Sequence, residues 1–230
     1  MRLNKSKEKI GTMFDEIAMK YDFLNHFFTA NLDKRWRKKI IKQIEYFNFP
    51  FVTVVDLASG TGDMMAELLK LGPDKAFSFD ISEKMLDVQR EKIKDDRLVI
   101  LKADSEKMPL EDNSVDILTI AFGVRNFENL ENSLNEIRRV LKPKGILIVL
   151  EMFGMAKRNL LFEFYFTRIM PIFGKLVSRS SYAYEYLHNS VMKFKTADEF
   201  NCLAGKNGFT LRKKENNFLK FVYSVYLQKV

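Results

Sequence analysis

From residue 51 onward the chain alternates short β-branched or aromatic runs with stretches whose apolar residues recur at helical spacing, and this alternation leaves few folds open. Strands that alternate with helices build a parallel sheet, because every parallel connection must cross over the sheet and a helix is the usual crossover. The predicted strands are Phe51 to Leu57, Ala76 to Ile81, Leu98 to Lys102, Val115 to Ala121, Gly145 to Glu151, Phe209 to Lys213 and Leu219 to Leu227. The first five are near-continuous apolar runs. Only Lys214 to Phe218 separate the last two, too short a stretch for a crossover helix, so these strands must pair antiparallel. The expected fold is therefore α/β and Rossmann-like: a seven-stranded, mostly parallel sheet with an antiparallel last strand. Ser82 is placed to cap the helix after the second strand, and Thr196 with Glu199 has the spacing of a capping box ahead of the sixth.

Upstream of the sheet, Ile10, Met13, Phe14, Ile17, Tyr21 and Leu24 mark one amphipathic helix. Leu32, Trp36, Ile40, Ile44 and Phe47 mark a second. A chain of 230 residues with 47% hydrophobic content suits one folded domain. Its expected parts are an N-terminal helical arm (1–48), a cofactor-binding core (49–151), a helical insertion for substrate (152–195) and a C-terminal helix with the antiparallel strands (196–230). No apolar run approaches the roughly 20 residues of a membrane span, and the amino terminus runs directly into charged residues, so a cytoplasmic location is expected. Cys202 is the only cysteine, which excludes an intramolecular disulfide and a thiolate metal cluster; burial as a small apolar residue is its expected role. The net charge of +8 fits an anionic partner, whether nucleic acid, acidic lipid head groups or a negatively charged substrate, and equally a solvated lysine-rich surface.

Asp56-Leu57-Ala58-Ser59-Gly60-Thr61-Gly62 joins the first strand to a helix carrying Met64, Met65, Leu68 and Leu69. Glycines there let a ligand lie against the backbone, and the helix start offers free amides. Such a turn suits many nucleotide-like ligands. A dinucleotide site wants a small residue where Met65 stands. Asp63 would repel a pyrophosphate but could attract the ammonium or sulfonium of S-adenosylmethionine, or simply stabilise the helix dipole. Asp80 ends the second strand about 20 residues past the glycines, where an acid can accept from both ribose hydroxyls. After the third strand, Asp104 and Ser105 can meet the adenine amine and ring. Asp56, Gly60, Thr61, Gly62, Asp80, Asp104 and Ser105 are thus the candidate cofactor residues, and S-adenosylmethionine, leaving as S-adenosylhomocysteine, the expected cofactor.

Beyond that turn the chain resembles class I S-adenosylmethionine methyltransferases, and among them the C-methyltransferases of menaquinone and ubiquinone biosynthesis. The resemblance is carried by Phe14-Asp15-Glu16-Ile17-Ala18, Tyr21-Asp22-Phe23-Leu24-Asn25, Trp36-Arg37, the Asp56 to Asp63 turn, Phe122-Gly123-Val124-Arg125-Asn126, Arg139-Val140-Leu141-Lys142-Pro143, Glu151 and Tyr184-Glu185-Tyr186-Leu187. The Tyr-Asp-x-x-Asn and Phe-Gly-x-Arg-Asn segments are its most specific parts. The chain departs from the family pattern at Thr29, Asp33, Lys144, Phe153 and the Asn216-Asn217-Phe218 segment.

The resemblance implies methylation of a polyprenyl quinol, demethylmenaquinol above all, with the arm closing over cofactor and acceptor. A phenol with pKa near 10 must ionise to react, which calls for a base or a fixed cation. Arg125 is the expected catalytic cation, with Asn126 on the head group and Tyr21 beside it. His26 and His188 are expected to be structural, and no metal is expected. The apolar stretch 159–177 is either an ordinary packed helix or a groove that touches an anionic membrane, which would place the protein at the inner membrane face. A homodimer is compatible with the sequence. A nucleic-acid methyltransferase is disfavoured because Thr119-Ile120-Ala121-Phe122-Gly123 replaces the Asp/Asn-Pro-Pro-Tyr motif; a methyltransferase of the same fold acting on another small aromatic acceptor and a catalytically silent scaffold are the other rivals.

Overall fold

In the computed structural model, which describes residues 5–48, 50–155 and 181–230, the arm is a pair of helices, α1 (Lys7–Phe28) and α2 (Leu32–Phe47). The expected apolar positions hold them down: Ile10, Met13, Leu24, Trp36, Ile40 and Ile44 are buried. Trp36, Ile40 and Ile44 join Met64, Met65 and Phe122 in one core cluster, which fixes α2 against the sheet.

The core runs β1 (Thr53–Leu57), α3 (Asp63–Leu68), β2 (Lys75–Asp80), α4 (Glu83–Lys92), β3 (Leu98–Lys102), β4 (Val115–Ala121), α5 (Leu130–Val140) and β5 (Leu141–Met152). Among the described residues beyond 155 come α6 (Ser181–Met192), α7 (Ala197–Lys206), β6 (Phe209–Phe218) and β7 (Val222–Lys229). The sheet order is β3-β2-β1-β4-β5-β7-β6, with β7 antiparallel to both neighbours and the remaining pairs parallel. The seven-stranded fold with an antiparallel last strand is as the sequence predicts. β2 and β4 flank β1, so the strand order reverses there, and in open α/β sheets the crevice beyond the carboxyl ends at such a point is where ligands bind. Both caps form as expected: the Met85 amide donates to Ser82 Oγ at 3.2 Å, and Thr196 and Glu199 make a full capping box.

The structure corrects several local expectations. The β6–β7 turn is not Lys214 to Phe218. β6 continues through Phe218, and the chain reverses at Leu219 and Lys220, both left-handed (φ 43° and 61°). β6 is an edge strand whose residues past Phe209 are largely solvent-facing, so it carries no apolar run to mark its length. β5 begins earlier than Gly145, at Leu141, with a register irregularity against β4. β3 is the other edge, and its Val99 and Leu101 are exposed despite their apolar character. Cys202 is exposed, not buried. α7 packs through Ala197, Phe200 and Ala204, which turns position 202 to the opposite side of the helix. The stretch 159–177 lies outside the described residues.

Candidate active site

The turn after β1 is built from left-handed residues: Ala58 (φ 55°), Gly60 (φ 54°) and Gly62 (φ 87°). Gly62 has a second constraint, since a Cβ there would lie 2.6 Å from Gln89 Cγ. Gln89 is fully buried and ties the layers together, its amide donating to Ser78 Oγ (2.6 Å) while its carbonyl oxygen accepts from Ser59 Oγ (3.0 Å). Beneath the turn, Asp56 Oδ1 accepts from the Thr119 hydroxyl (2.7 Å) and Oδ2 makes no hydrogen bond among the described residues. Burial pushes the Asp56 carboxyl up to about 7.

Asp80 reaches back to the turn. Its Oδ2 accepts from the Gly60 amide and its Oδ1 from the Ser82 amide, each at 2.9 Å. A carboxylate has about four lone-pair sites, so each oxygen can take a further donor from a ligand. Burial raises the pKa of Asp80 above the ordinary range, partly offset by these amides. Past β3, Asp104 Oδ2 pairs with Lys7 Nζ at 2.5 Å and its Oδ1 accepts from the Glu106 amide at 3.0 Å, while Ser105 Oγ lies 2.9 Å from Ser133 Oγ.

These groups open on a cavity of about 700 Å³, the open solvent at its mouth included. Of the predicted residues, Gly60, Asp80, Asp104, Ser105, Tyr21 and Asn126 line it. Asp56, Thr61 and Gly62 do not; they support the turn from behind. Asp63 also points elsewhere. Its carboxylate pairs with Lys92, and Arg37 Nη1 and His26 Nε2 lie 3.7 and 3.5 Å away. An attraction of Asp63 for a bound sulfonium is therefore replaced by an ion network, which holds its pKa below the ordinary range against the cost of burial.

The arm lies across this cavity, tied at three places along α1: Lys7 to Asp104, Asp15 accepting from Ser82 Oγ (2.5 Å), and Asp22 accepting from the Thr61 hydroxyl. Tyr21 and Phe14 come from its inner face. Burial pushes the Tyr21 phenol upward, partly offset by a hydrogen bond with Asn25, so at neutral pH the hydroxyl keeps its proton.

A second cavity, of about 800 Å³, opens on the far side of Tyr21. Phe14, Tyr21 and Phe122 belong to the walls of both. Its remaining surface is mostly apolar, from residues such as Met13, Ile17, Met152 and Leu187, with Arg125, Asp33, Thr29 and Asn25 as polar exceptions. Sequence reading gave no sign of this chamber as a unit, because its walls come from α1, the start of α2, the ends of β4 and β5, and α6.

Arg125 is buried in its wall. Nη1 donates to Glu151 Oε1 and to the Phe122 carbonyl, both at 2.7 Å, and Lys5 Nζ donates to the Arg125 carbonyl at 2.6 Å. Glu151 is fully buried, and burial raises its pKa while Arg125 pulls the other way. Asn126 Oδ1 accepts from the Tyr186 hydroxyl at 3.1 Å.

His26 Nδ1 lies 2.9 Å from Asp33 Oδ2, and neither His26 nor His188 lines either cavity. His26, Asp33 and Asp63 come within 4.8 Å of one another, a grouping that spacing along the chain did not reveal. The charge is already balanced there by Arg37, 2.5 Å from Asp33, and by Lys92.

Over 213 residues the chain is 38% identical to the demethylmenaquinone methyltransferase of Chlorobaculum tepidum, covering 89% of this chain and 86% of the relative. It is 36% identical over 217 residues to the ubiquinone/menaquinone biosynthesis C-methyltransferase UbiE of Geotalea uraniireducens, covering 90% and 91%. Among solved structures, a SAM-dependent methyltransferase from Aquifex aeolicus shares the fold, with a TM-score of 0.60, 20% identity and coverage of 82% and 88%. A sequence model of the ubiE/COQ5 methyltransferase family matches residues 2–223, and the chain belongs to that family, whose members are S-adenosylmethionine-dependent methyltransferases.

Proposed function

We propose that the protein methylates a ring carbon of a polyprenylated quinol in menaquinone or ubiquinone biosynthesis, with demethylmenaquinol as the preferred acceptor and S-adenosylhomocysteine as the by-product. The observation that carries this reading is the pair of cavities meeting at Tyr21 and Phe122, one edged by acids at the strand ends and the other apolar with a buried guanidinium.

The first cavity fits the cofactor. Asp80 has lone pairs left for ribose hydroxyls, the Gly60 backbone is bare on the ligand side, and Ile81, Ala103 and Met85 offer apolar walls to an adenine ring. S-adenosylmethionine, when bound, supplies an electrophilic methyl group on a positive sulfur.

The second cavity suits an aromatic head group with an apolar tail. The Arg125 guanidinium is held in place by Glu151 and the Phe122 carbonyl, so it can stabilise a quinol oxygen as the phenolate without rearranging. Asn126, fixed by Tyr186, stands on the cofactor side of the same turn and orients the ring toward the donor. Tyr21 excludes water at the junction and remains a hydrogen-bond donor. Positioning of this kind is a large part of what catalysis of methyl transfer requires.

The acceptor is dissolved in lipid, so the proposal places the protein on an anionic membrane at its cytoplasmic face. Exposed Lys34, Arg35, Lys38 and Lys42 on α2 support that placement, and no helix among the described residues is long and apolar enough to cross a membrane.

The test is transfer of label from S-adenosylmethionine to reduced demethylmenaquinone, and separately to a methoxy-polyprenyl-benzoquinol. The expected outcome is methylation of the naphthoquinol, reduced about 100-fold or more by Arg125→Ala with little change in cofactor affinity. Transfer to neither quinol overturns the proposal. Flotation with anionic vesicles tests the membrane placement, which fails if no salt-sensitive binding is seen.

A further inference from the structure

The second cavity holds one carboxylate among its described lining residues, Asp33, on the first turn of α2. Its two oxygens are unequally engaged. Oδ2 accepts from Arg37 Nη1 at 2.5 Å and lies 2.9 Å from His26 Nδ1. Oδ1 has the Thr29 hydroxyl at 2.6 Å. Three partners leave about one of the four lone-pair sites of a carboxylate unused. With a guanidinium, an imidazole and a hydroxyl against it, this carboxylate remains ionised and can only accept hydrogen bonds. Asp33 is also 1% exposed, so solvent does not satisfy the remaining site.

Arg125, in the same cavity, has the complementary limitation. Guanidinium only donates, and its Nε is buried with no hydrogen bond among the described residues. The two charged groups on this wall are therefore one that only donates and one that only accepts.

This pairing distinguishes the oxidation states of a quinone. An oxidised ring carries two carbonyl oxygens, both acceptors; one suits Arg125, and the other would meet Asp33 lone pair to lone pair. A reduced ring offers a hydroxyl that donates to Asp33 and, opposite it, an oxygen that Arg125 stabilises as it ionises. We infer that Asp33 is a specificity-determining residue that accepts the hydroxyl of the reduced acceptor and excludes the oxidised form. The inference rests on the assignment of this cavity to a quinol. It adds that the site reads the redox state of the ring through a residue far from Arg125 in sequence.

The test measures binding of a short-chain demethylnaphthoquinone by calorimetry, oxidised or chemically reduced under anaerobic conditions, to the whole protein saturated with S-adenosylhomocysteine. The wild type is expected to prefer the reduced form by about 10- to 100-fold, the range of a hydrogen bond to a charged group. Asp33→Asn exchanges an acceptor for an amide that can also donate to a carbonyl. It is expected to bind the oxidised form more tightly than the wild type does, a gain that misfolding cannot produce. Asp33→Glu keeps the acceptor and should keep the preference. Should the amide variant fail to fold, Asp33→Ser supplies a smaller side chain that can also donate. An unchanged preference in the folded Asn or Ser variant, with the wild type still methylating the quinol, overturns the inference and leaves the function standing. A wild type that neither binds nor methylates either ring overturns both.

Discussion

Glu151 Oε1 lies 2.7 Å from Arg125 Nη1, so the end of β5 is fastened to the turn that follows β4 by an ion pair with almost no access to water. Removing one partner of such a pair leaves the other charge buried, which costs about 3–5 kcal/mol. Glu151→Gln should lose stability on that scale, read as a lower urea midpoint with an unchanged m-value. A loss below about 1 kcal/mol would show that the guanidinium finds solvent without its partner.

Asp56 should impose a pH dependence on stability. Its folded pKa of about 7 stands above the ordinary 3.8, so the folded state binds the extra proton between roughly pH 4 and 7. The sign follows: its favourable contribution is full below pH 4 and is lost as pH rises toward 7. The difference is on the order of 4 kcal/mol at most. Denaturation midpoints of Asp56→Asn and wild type across that window should diverge, with the variant gaining relative to wild type as pH rises. Parallel curves would contradict the elevated pKa.

Lys7 occupies the Asp104 oxygen that a ligand amine would use. Lys7→Met keeps most of the apolar stem and removes the competitor. Affinity for S-adenosylmethionine should rise by about two- to fivefold at low salt, an exposed ion pair being worth up to about 1 kcal/mol, and the advantage should fade as salt screens the pair. Weaker binding would mean that Lys7 itself holds the ligand.

Gly62→Ala meets two obstacles at once, a left-handed backbone and a Cβ only 2.6 Å from Gln89 Cγ. Left-handed geometry costs a residue with a Cβ about 1–2 kcal/mol, and crowding of the buried Gln89 adds about 1–3. Thermal unfolding without ligand should show the combined loss, because the effect does not depend on the cofactor. An unaltered midpoint would mean that Gln89 can yield at no cost.

Strands and site residues differed in how plainly the sequence announced them, for a physical reason. β1, β2 and β4 are sheet-interior strands, so burial on both faces writes itself into runs such as Val115 to Ala121. β6 has a free edge and reads as lysine, glutamate and asparagine, which gave no measure of its length. Gly60, Asp80 and Asp104 line one cavity because each sits at or just past the carboxyl end of a strand, where connectivity alone brings them together. Asp63 stands at the start of α3, where it suits the helix dipole, but sequence position could not show Lys92 and Arg37 beside it. Asp33 lay within a basic helix, and only the approach of His26 and the wall of the second cavity distinguish it.

The place of β7 in the sheet has a kinetic corollary. Ile146 of β5 pairs with Gln228, and Met152 with Val222, so this ladder closes a long stretch of chain, whereas β1 joins β2, and β2 joins β3, through short crossovers. Long closures are entropically late events in folding. The half of the sheet that bears Gly60 and Asp80 can therefore assemble while β5 still presents an unsatisfied, apolar edge from Ile146 to Leu150, an invitation to pair with another copy. Glu151 lies on that same strand. The side of the candidate site around Gly60 and Asp80 is thus able to ripen first, and the side around Glu151 waits for the terminal hairpin to zip into place.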